Sequence, residues 1–456
     1  MYDTVLAKVP QPDIAQTRAL FDDLLIDLEP ALMPFDPQNP APRRRGRPRQ
    51  LCPTHLWLAL VLCTLQGMNS YAQLWRLLFT RSVGRFAALR LTSPGIVRRL
   101  QQGGLQPLYA LNARVGELLH QRLPLPCACP LASFAPAILA FDETTLDVVH
   151  KHLPALRTLP KGDPGLLAGK VAALFDIRRQ QWVGIQFRHD VLAHCSVAAL
   201  SALTELTEGT LLLFDLGYFA FAFFDALTER KLWWVTRLRS NVTYQVAHTH
   251  YRHEGTLDAL VWLGGKRSSH AGHLVRLVRV GDGSHLHSYL TNVTDPSLLP
   301  AGDVVRLYAR RWDIELAFLT LKQHLGLCSL WSGRQDLILQ QLWVVLLLAS
   351  LYQHLRLHLA GELGIDPFEL SLPLLLKYLP QMLEQGWDPL SWLKRYGRDL
   401  GLIRPSSRYV SVGADIPTDQ VVLPPADLVW TRRAKVVRTK ARTARKKALA
   451  TSGSAP

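Results

Sequence analysis

The sequence predicts an α/β fold from three patterns. Two apolar runs of strand length end directly in an aspartate, Asp142 and Asp215 respectively. Alternating apolar residues over 171–187 predict a β-hairpin beside the first of these strands. Apolar residues at helical spacing over 307–325 predict a helix that docks on a core. A mixed sheet flanked by helices is therefore expected.

The composition indicates a globular protein without a membrane span. The chain has 456 residues, of which 48% are hydrophobic, enough for two or three packed domains. The longest apolar run, residues 342–351, is about half of what a bilayer requires and predicts a buried helix. Six scattered cysteines give no disulfide framework. We expect reduced thiols and a cytoplasmic protein.

The net charge of +16 is concentrated in two segments. Residues 43–49 hold five arginines and residues 432–447 hold nine lysines or arginines, with no acid in either segment. Subtracting these fourteen charges leaves about +2 for all other residues. A polyanion, either nucleic acid or a membrane surface, is the expected partner. No apolar face accompanies the basic tail, which disfavours a membrane.

The first basic segment resembles a minor-groove arm. Arg45, Arg47 and Arg49 lie in and beside an Arg-Gly-Arg-Pro sequence, and arginines of such arms enter the narrow minor groove of A·T-rich DNA. A solvated linker that contacts phosphates without sequence preference is the alternative.

The first strand-end acid is a candidate metal ligand. A carboxylate at the end of a buried strand is held rigidly and can still face a cleft, which suits Asp142 to this role. The side chain of Glu143 should point to the opposite side of the strand, so we leave it out of the site. Asp176 is predicted to be a hairpin-end residue, because no helix follows it.

The second strand-end acid repeats this pattern. Asp215 follows an apolar strand, and a helical pattern through residues 223–227 follows it. Considered alone, either aspartate is better explained as an ordinary turn acid at the end of a strand. We expect both to belong to one site.

A helical stripe carries four residues suited to phosphate chemistry. Tyr308, Arg311, Glu315 and Lys322 fall within about 60° of one another around a helix. A neighbouring stripe is apolar and predicts the buried face, namely Leu307, Ile314, Phe318, Leu321 and Leu325. An ordinary surface ion pair between Arg311 and Glu315 is the alternative explanation.

The spacing of these four residues carries a family resemblance. They are separated by two, three and six residues, which resembles the Y-(2)-R-(3)-E-(6)-K signature of the bacterial transposases of insertion-sequence family four. Asp215-Leu216-Gly217-Tyr218 is also similar to the second motif of that family, although Leu216 stands where a basic residue is common. The resemblance implies a ribonuclease-H-like sheet and a catalytic triad of Asp142, Asp215 and Glu315.

The resemblance also implies a mechanism and partners. Asp142, Asp215 and Glu315 would hold two Mg²⁺ ions, with Mn²⁺ as a substitute, while Tyr308, Arg311 and Lys322 would bind DNA phosphates. The partners would be double-stranded DNA, as transposon terminal inverted repeats and target DNA, and a second copy of the chain. Such a protein would work at the bacterial nucleoid.

Two other functions remain open at this point. A ribonuclease-H-like nuclease would cut DNA without joining it, and a non-catalytic DNA-binding protein derived from a transposase would do neither.

The stretch after the second acid predicts a β-rich insertion of short alternating runs. Its histidines, His248, His250 and His253, fit solvated loop residues better than a metal site, because no cysteine or carboxylate pair accompanies them. Trp262 is expected to pack within the insertion, with stacking on an unpaired base as the alternative.

The predicted domain boundaries follow from these patterns: an N-terminal helix and linker (1–42), a basic arm (43–51), a helical DNA-end-binding domain (52–130), the first part of the core (131–241), the β-rich insertion (242–300), the second part of the core with a helical C-terminal region (301–405), and a disordered basic tail (406–456).

Overall fold

A computed structural model gives the fold. The structure describes residues 30–31, 34, 51–83, 86–122, 131–147, 167–188, 206–265, 268–281, 286–328, 330–405 and 416–435. The predictions for Arg45, Arg47, Arg49, the N-terminal helix and residues 436–456 fall outside this part of the chain.

The chain divides into two compact units. The first comprises residues 1–129, 143–192 and 313–409, and the second comprises residues 130–142, 193–312 and 410–456. Strand β1 contributes residues to both units.

The strands form one sheet in the order β3-β2-β1-β4-β5-β9-β8-β7-β6. The mixed α/β fold is confirmed, and the order of its first five strands agrees with the expected ribonuclease-H-like core. The strands are β1 (Ile138–Asp147), β2 (Leu167–Asp176), β3 (Gln181–Arg188), β4 (Leu211–Phe214), β5 (Trp233–Arg237), β6 (Tyr244–His253), β7 (Thr256–Leu263), β8 (Val275–Val280) and β9 (His287–Thr291).

Strand β4 is fully buried between two parallel neighbours. Its four residues are all apolar and inaccessible, as expected for a strand covered on both faces. It pairs with β1 from Ile138 opposite Leu211 to Phe141 opposite Phe214. It also pairs with β5, which it meets in parallel. This register fixes which residues follow each strand at the same edge of the sheet.

Helices make up most of the first unit. They are α1 (Pro53–Leu65), α2 (Tyr71–Thr80), α3 (Ser93–Gly103), α4 (Gln106–Arg122), α7 (Trp312–Leu319), α8 (Gln335–Leu363), α9 (Leu372–Glu384) and α10 (Pro389–Tyr396). The boundary between the units falls after Trp312, the first residue of α7. The second unit contains α5 (Phe221–Glu229) and α6 (Ala301–Arg310). Helices α1 to α4 lie within the region 52–130 that was predicted to be helical, and the helix predicted after Asp215 is present as α5.

Helix α8 is the central helix of the first unit. It contacts α1, α3, α4, α9, α10 and β3. Within the described residues it alone is long and apolar enough to cross a membrane, and 78% of its most apolar window is buried by the protein. It includes the predicted apolar run 342–351, and the prediction of a buried helix is confirmed.

A buried ion pair ties the insertion to the loop before α6. The Arg276 guanidinium on β8 donates to both carboxylate oxygens of Asp258 on β7, at 2.7 and 2.6 Å. It also donates to the carbonyl of Leu299, at 2.6 Å. Neither side chain is accessible to solvent. The insertion therefore fixes the chain immediately before α6, which carries Tyr308.

The predicted disorder of the tail is wrong for residues 416–435. This segment lies along the insertion, where Val422 exchanges hydrogen bonds with His250 and Trp430 accepts from the backbone of Leu274. Arg432 donates to the carbonyl of Leu263. Backbone pairing with the insertion orders a segment that has no apolar core of its own, a long-range effect that local composition does not reveal.

The prediction for the histidines of the insertion also changes. His248 and His250 lie on β6 instead of in a loop, and both rings contact the Val422 carbonyl at 2.9 Å. His250 is buried, and burial lowers its pKa. Trp262 is half-buried, and the Arg432 guanidinium lies 4.7 Å from its ring centre.

Truncation of the buried arginine should destabilise the fold. Arg276→Ala leaves the Asp258 carboxylate buried without its cation, so the free energy of unfolding should fall by about 3–5 kcal/mol. Urea unfolding followed by circular dichroism measures this.

Glu208→Ala is the matched control for that prediction, because it breaks an exposed ion pair with Lys231. It should change the free energy of unfolding by less than about 1 kcal/mol. Equal effects of the two substitutions would contradict the importance of the buried pair.

Candidate active site

The two predicted aspartates occupy equivalent positions on neighbouring parallel strands. Asp142 follows Phe141 and Asp215 follows Phe214, and these two phenylalanines are register partners. Neighbouring strands lie about 4.8 Å apart, and residues at the same register point to the same face. The structure therefore brings these two carboxylates to one edge of the second unit.

Asp215 is fixed by the turn that it starts. Its Oδ1 accepts a hydrogen bond from the backbone N–H of Gly217 at 2.8 Å, capping a short 3₁₀ helix at Leu216–Tyr218. A Cβ at position 217 would lie 2.9 Å from the same oxygen. Only glycine leaves this carboxylate in place without a shift.

Arg311 faces the first aspartate. Its Nη1 lies 3.8 Å from Oδ2 of Asp142, and both side chains are largely buried. The guanidinium also lies over the rings of Tyr308 and Trp312, at 5.7 and 5.3 Å from their centres. Arg311 is thus a buried cation beside Asp142 that also contacts two aromatic rings.

The pKa of Tyr308 depends on its burial and on charged groups of both signs in the site. Burial raises the pKa of its hydroxyl, and the Asp215 carboxylate adds to that rise, whereas Arg311 and Arg237 oppose it. Its ring lies 5.2 Å from that of Tyr289. The phenol is therefore a neutral hydrogen-bonding group at neutral pH.

Arg237 and Tyr289 are site neighbours that the sequence did not single out. Arg237 is the last residue of β5. It comes two residues after Val235, and Asp215 comes two residues after Leu213, the register partner of Val235. Arg237 is exposed, and its charge acts on the pKa values of Tyr289 and Tyr308. Both aspartates were identified because each follows a buried apolar run. Arg237 follows three buried residues of β5, so the same signal could have identified it.

The single helix predicted through the signature is interrupted. Helix α6 ends at Arg310, Arg311 caps it, and α7 starts at Trp312. A π-helical turn, Thr320–His324, follows. The extra residue in this turn changes the angular position of Lys322 from the one that regular helical spacing predicts.

The four residues of the predicted stripe differ in their exposure to solvent. Tyr308 and Arg311 are almost fully buried, whereas Glu315 and Lys322 are half-buried. The predicted apolar stripe is buried throughout, which confirms that face.

In the first unit, the hairpin β2–β3 fixes the start of α7. The Gln180 side chain donates to Oδ2 of buried Asp313 at 2.9 Å, and the rings of Trp182 and Phe318 lie 5.1 Å apart. Both contacts flank Glu315 in the helix. They hold the third predicted carboxylate on a rigid element.

Two acids excluded from the site have structural partners. Glu143 lies within 3.3 Å of Arg188 and 3.8 Å of Lys170. Asp176 accepts from the backbone N–H groups of Arg178 and Arg179 at 2.8 and 2.9 Å. The hairpin-end prediction for Asp176 is thereby confirmed.

The residues described by the structure include no group of three or more His, Cys, Asp or Glu side chains placed to hold a metal ion. The three-carboxylate ligand set therefore stays a prediction. Three carboxylates would suit Mg²⁺, because carboxylate oxygens are the ligands that hard cations prefer. Asp142 also lies beside a positive charge in this structure, the guanidinium of Arg311.

Comparison with known proteins adds independent information. Residues 134–351 match the family model for the transposase DDE domain. Over 296 residues the chain is 26% identical to the transposase InsG for insertion sequence element IS4 of Escherichia coli (strain K12), covering 60% of this chain and 64% of that protein. It is 28% identical over 168 residues to y4zB of Sinorhizobium fredii, named as a candidate transposase, covering 35% and 46% respectively.

The chain thus spans less than two thirds of the length of these relatives. A solved piggyBac transposase synaptic complex with hairpin DNA aligns with 89% of this chain and 88% of its own, at 15% identity and a TM-score of 0.38. The match at residues 134–351 contains Asp142, Asp215 and the whole Tyr308–Lys322 signature. Residues 134–351 are thus similar to a transposase DDE domain, and these relatives are transposases by name.

Proposed function

We propose that the chain is a DNA transposase that cuts DNA at transposon ends and joins those ends to target DNA. The observation that supports this most is the register of β1 and β4, which puts Asp142 and Asp215 at equivalent positions beside Arg311 and Tyr308. A pair of carboxylates with neighbouring phosphate-binding groups suits phosphoryl transfer.

Asp142, Asp215 and Glu315 would together hold two Mg²⁺ ions. When bound, these ions supply activation of a water or 3′-hydroxyl and stabilisation of the leaving oxygen. The capping bond from Gly217 uses one oxygen of Asp215 and orients the other. Glu315 is held on α7 by the contacts that fix the start of that helix.

The remaining site residues would bind DNA. Arg311 presents a planar guanidinium that can hold a phosphate through two donors, and it would exchange its Asp142 contact for that phosphate. Tyr308 stays protonated because burial raises its pKa, and so it can donate to a phosphate oxygen. Lys322 and Arg237 add positive charge. The site would act on duplex DNA in a homodimer, so that two ends are cut together.

Cleavage of a duplex that spans the element's own end tests the proposal. With Mg²⁺ the wild type should nick at the end. Asp142→Asn and Glu315→Gln should bind the same duplex and cut at least about 100-fold more slowly, because each removes a charged metal ligand. Glu208→Gln removes an exposed carboxylate with the same chemistry and should cut at the wild-type rate.

The other outcomes point to other functions. Cutting without joining to a supercoiled plasmid would indicate a nuclease. Binding without cutting in Mg²⁺ or Mn²⁺, or equal cutting by the variants, would indicate a DNA-binding protein and overturn the catalytic assignment.

Gly217→Ala tests the role of the capping bond. The added Cβ would press on Oδ1 of Asp215, so the carboxylate must turn away and cutting should fall about 10- to 100-fold. Gly116→Ala on α4 is the matched control, because an added Cβ there meets open space.

Thermal unfolding of both glycine variants should stay close to that of the wild type. Cutting by Gly217→Ala at the wild-type rate would show that the capped orientation of Asp215 is unimportant.

A further inference from the structure

The helical region at residues 51–122 has an unusual charge composition. It contains eight arginines, no lysine and a single acid, Glu117, for a net charge of +7. Arginine differs from lysine because its planar fork of donors can bind two acceptors at once. Such a composition fits recognition of DNA better than a solvated surface, on which both charges and both cations are normally mixed.

Helix α3 has one buried face and one exposed face. Ile96 and Leu100 are buried, and a Cβ at Gly103 would lie 3.0 Å from the ring of Trp57. Arg98 and Gln102, one helical turn apart and about 160° from Leu100 around the helix, are exposed. The exposed face therefore presents two long side chains with multiple donors.

Both ends of α3 are fixed to the first unit. At its C-terminus, the buried Gln340 side chain of α8 donates to the carbonyls of Leu100 and Gly104, at 2.8 and 3.1 Å. Before its N-terminus, Nε1 of Trp75 on α2 donates to the carbonyl of Leu91 at 2.7 Å. A helix anchored at both ends can hold its exposed face in a constant orientation.

The neighbouring arginine at position 99 points elsewhere. Its Nη1 donates to the carbonyl of Leu51 at 3.1 Å. Arg98 is thus the arginine that α3 exposes, and exposed Arg90 lies immediately before the fixed Leu91. The two arginines flank the start of the helix, one on the helix itself and one in the preceding segment.

We propose that α3 enters the major groove of transposon-end DNA and reads its sequence through Arg98 and Gln102, while Arg90 binds a backbone phosphate. The inference rests on the proposed function, because it names the element that recognises the DNA ends. Arginine pairs with the acceptor edge of guanine, and glutamine pairs with adenine. The absence of acids in the first turn of α3 leaves its N-terminus free to approach phosphate.

Selection from a random duplex library tests this without any catalytic step. The full chain carrying Asp142→Asn is used in the absence of divalent metal, and the enriched sequences and affinities are compared among variants. Arg98→Ala should lose a guanine preference at one position of the motif and bind the wild-type motif about 5- to 150-fold more weakly. Gln102→Ala should lose an adjacent adenine preference.

Two further variants separate base reading from charge. Arg90→Ala should keep the motif, weaken binding to all sequences and lower the slope of log affinity against log salt by about 0.9. Arg114→Ala on α4 also removes one exposed arginine, which is paired with Glu117, and it should keep both the motif and the affinity.

The outcomes distinguish this inference from the proposed function. If Arg98→Ala and Gln102→Ala select the motif of Arg114→Ala with equal affinity, or if no motif is selected at all, α3 does not read sequence. A chain that selects a motif dependent on Arg98 but does not cut DNA in Mg²⁺ would retain this inference and overturn the proposed catalysis.

Discussion

The candidate site depends on the register between β1 and β4. Because side chains alternate along a strand, a slip of one residue would move either aspartate to the opposite face of the sheet. The register is set by apolar side chains, since every residue of β4 is buried and Phe141 and Phe214 both pack against Tyr218. Thr236 on β5 also donates to the Phe214 carbonyl. The packing of these apolar side chains therefore fixes the positions of Asp142 and Asp215.

Arg311 compensates part of the negative charge that this register brings together. Carboxylates brought close together repel one another, and an uncompensated group would take up a proton. A buried guanidinium beside Asp142 supplies the opposite charge, and its aromatic neighbours shield it from water. The same group suits phosphate, so under the proposed function one residue would both stabilise the free protein and bind DNA. Lysine would provide the charge but neither the planar stacking surface nor the two-donor grip.

Local patterns in the sequence predicted the strands, the acid that follows β4 and the buried helix α8, because each depends on residues adjacent in the chain. The prediction that Asp142 ends its strand is wrong, since β1 continues to Asp147. The other failures involve long-range contacts. Residues 416–435 are ordered by hydrogen bonds to the insertion, between residues that lie 161 to 174 positions apart in sequence. His250 bonds to the same segment and is buried. The π-helical turn at Lys322 carries no composition signal. Arg237 has the same local signal as the two aspartates, a polar residue after a run of buried residues, but its neighbours in the site follow only from the pairing of β5 with β4.

The distribution of charge leaves a long central part of the chain without net charge. Residues 123–431, which include both aspartates and the signature, contain 28 acids and 28 basic residues. Under the proposed function, long-range attraction to DNA therefore has to come from the two basic segments and from residues 51–122. Within the core, the cations act only at short range, as at Arg237 and Arg311. The proposed function thus assigns attraction and chemistry to different parts of the sequence: the cations of residues 51–122 supply attraction, and the carboxylates Asp142, Asp215 and Glu315 supply the chemistry.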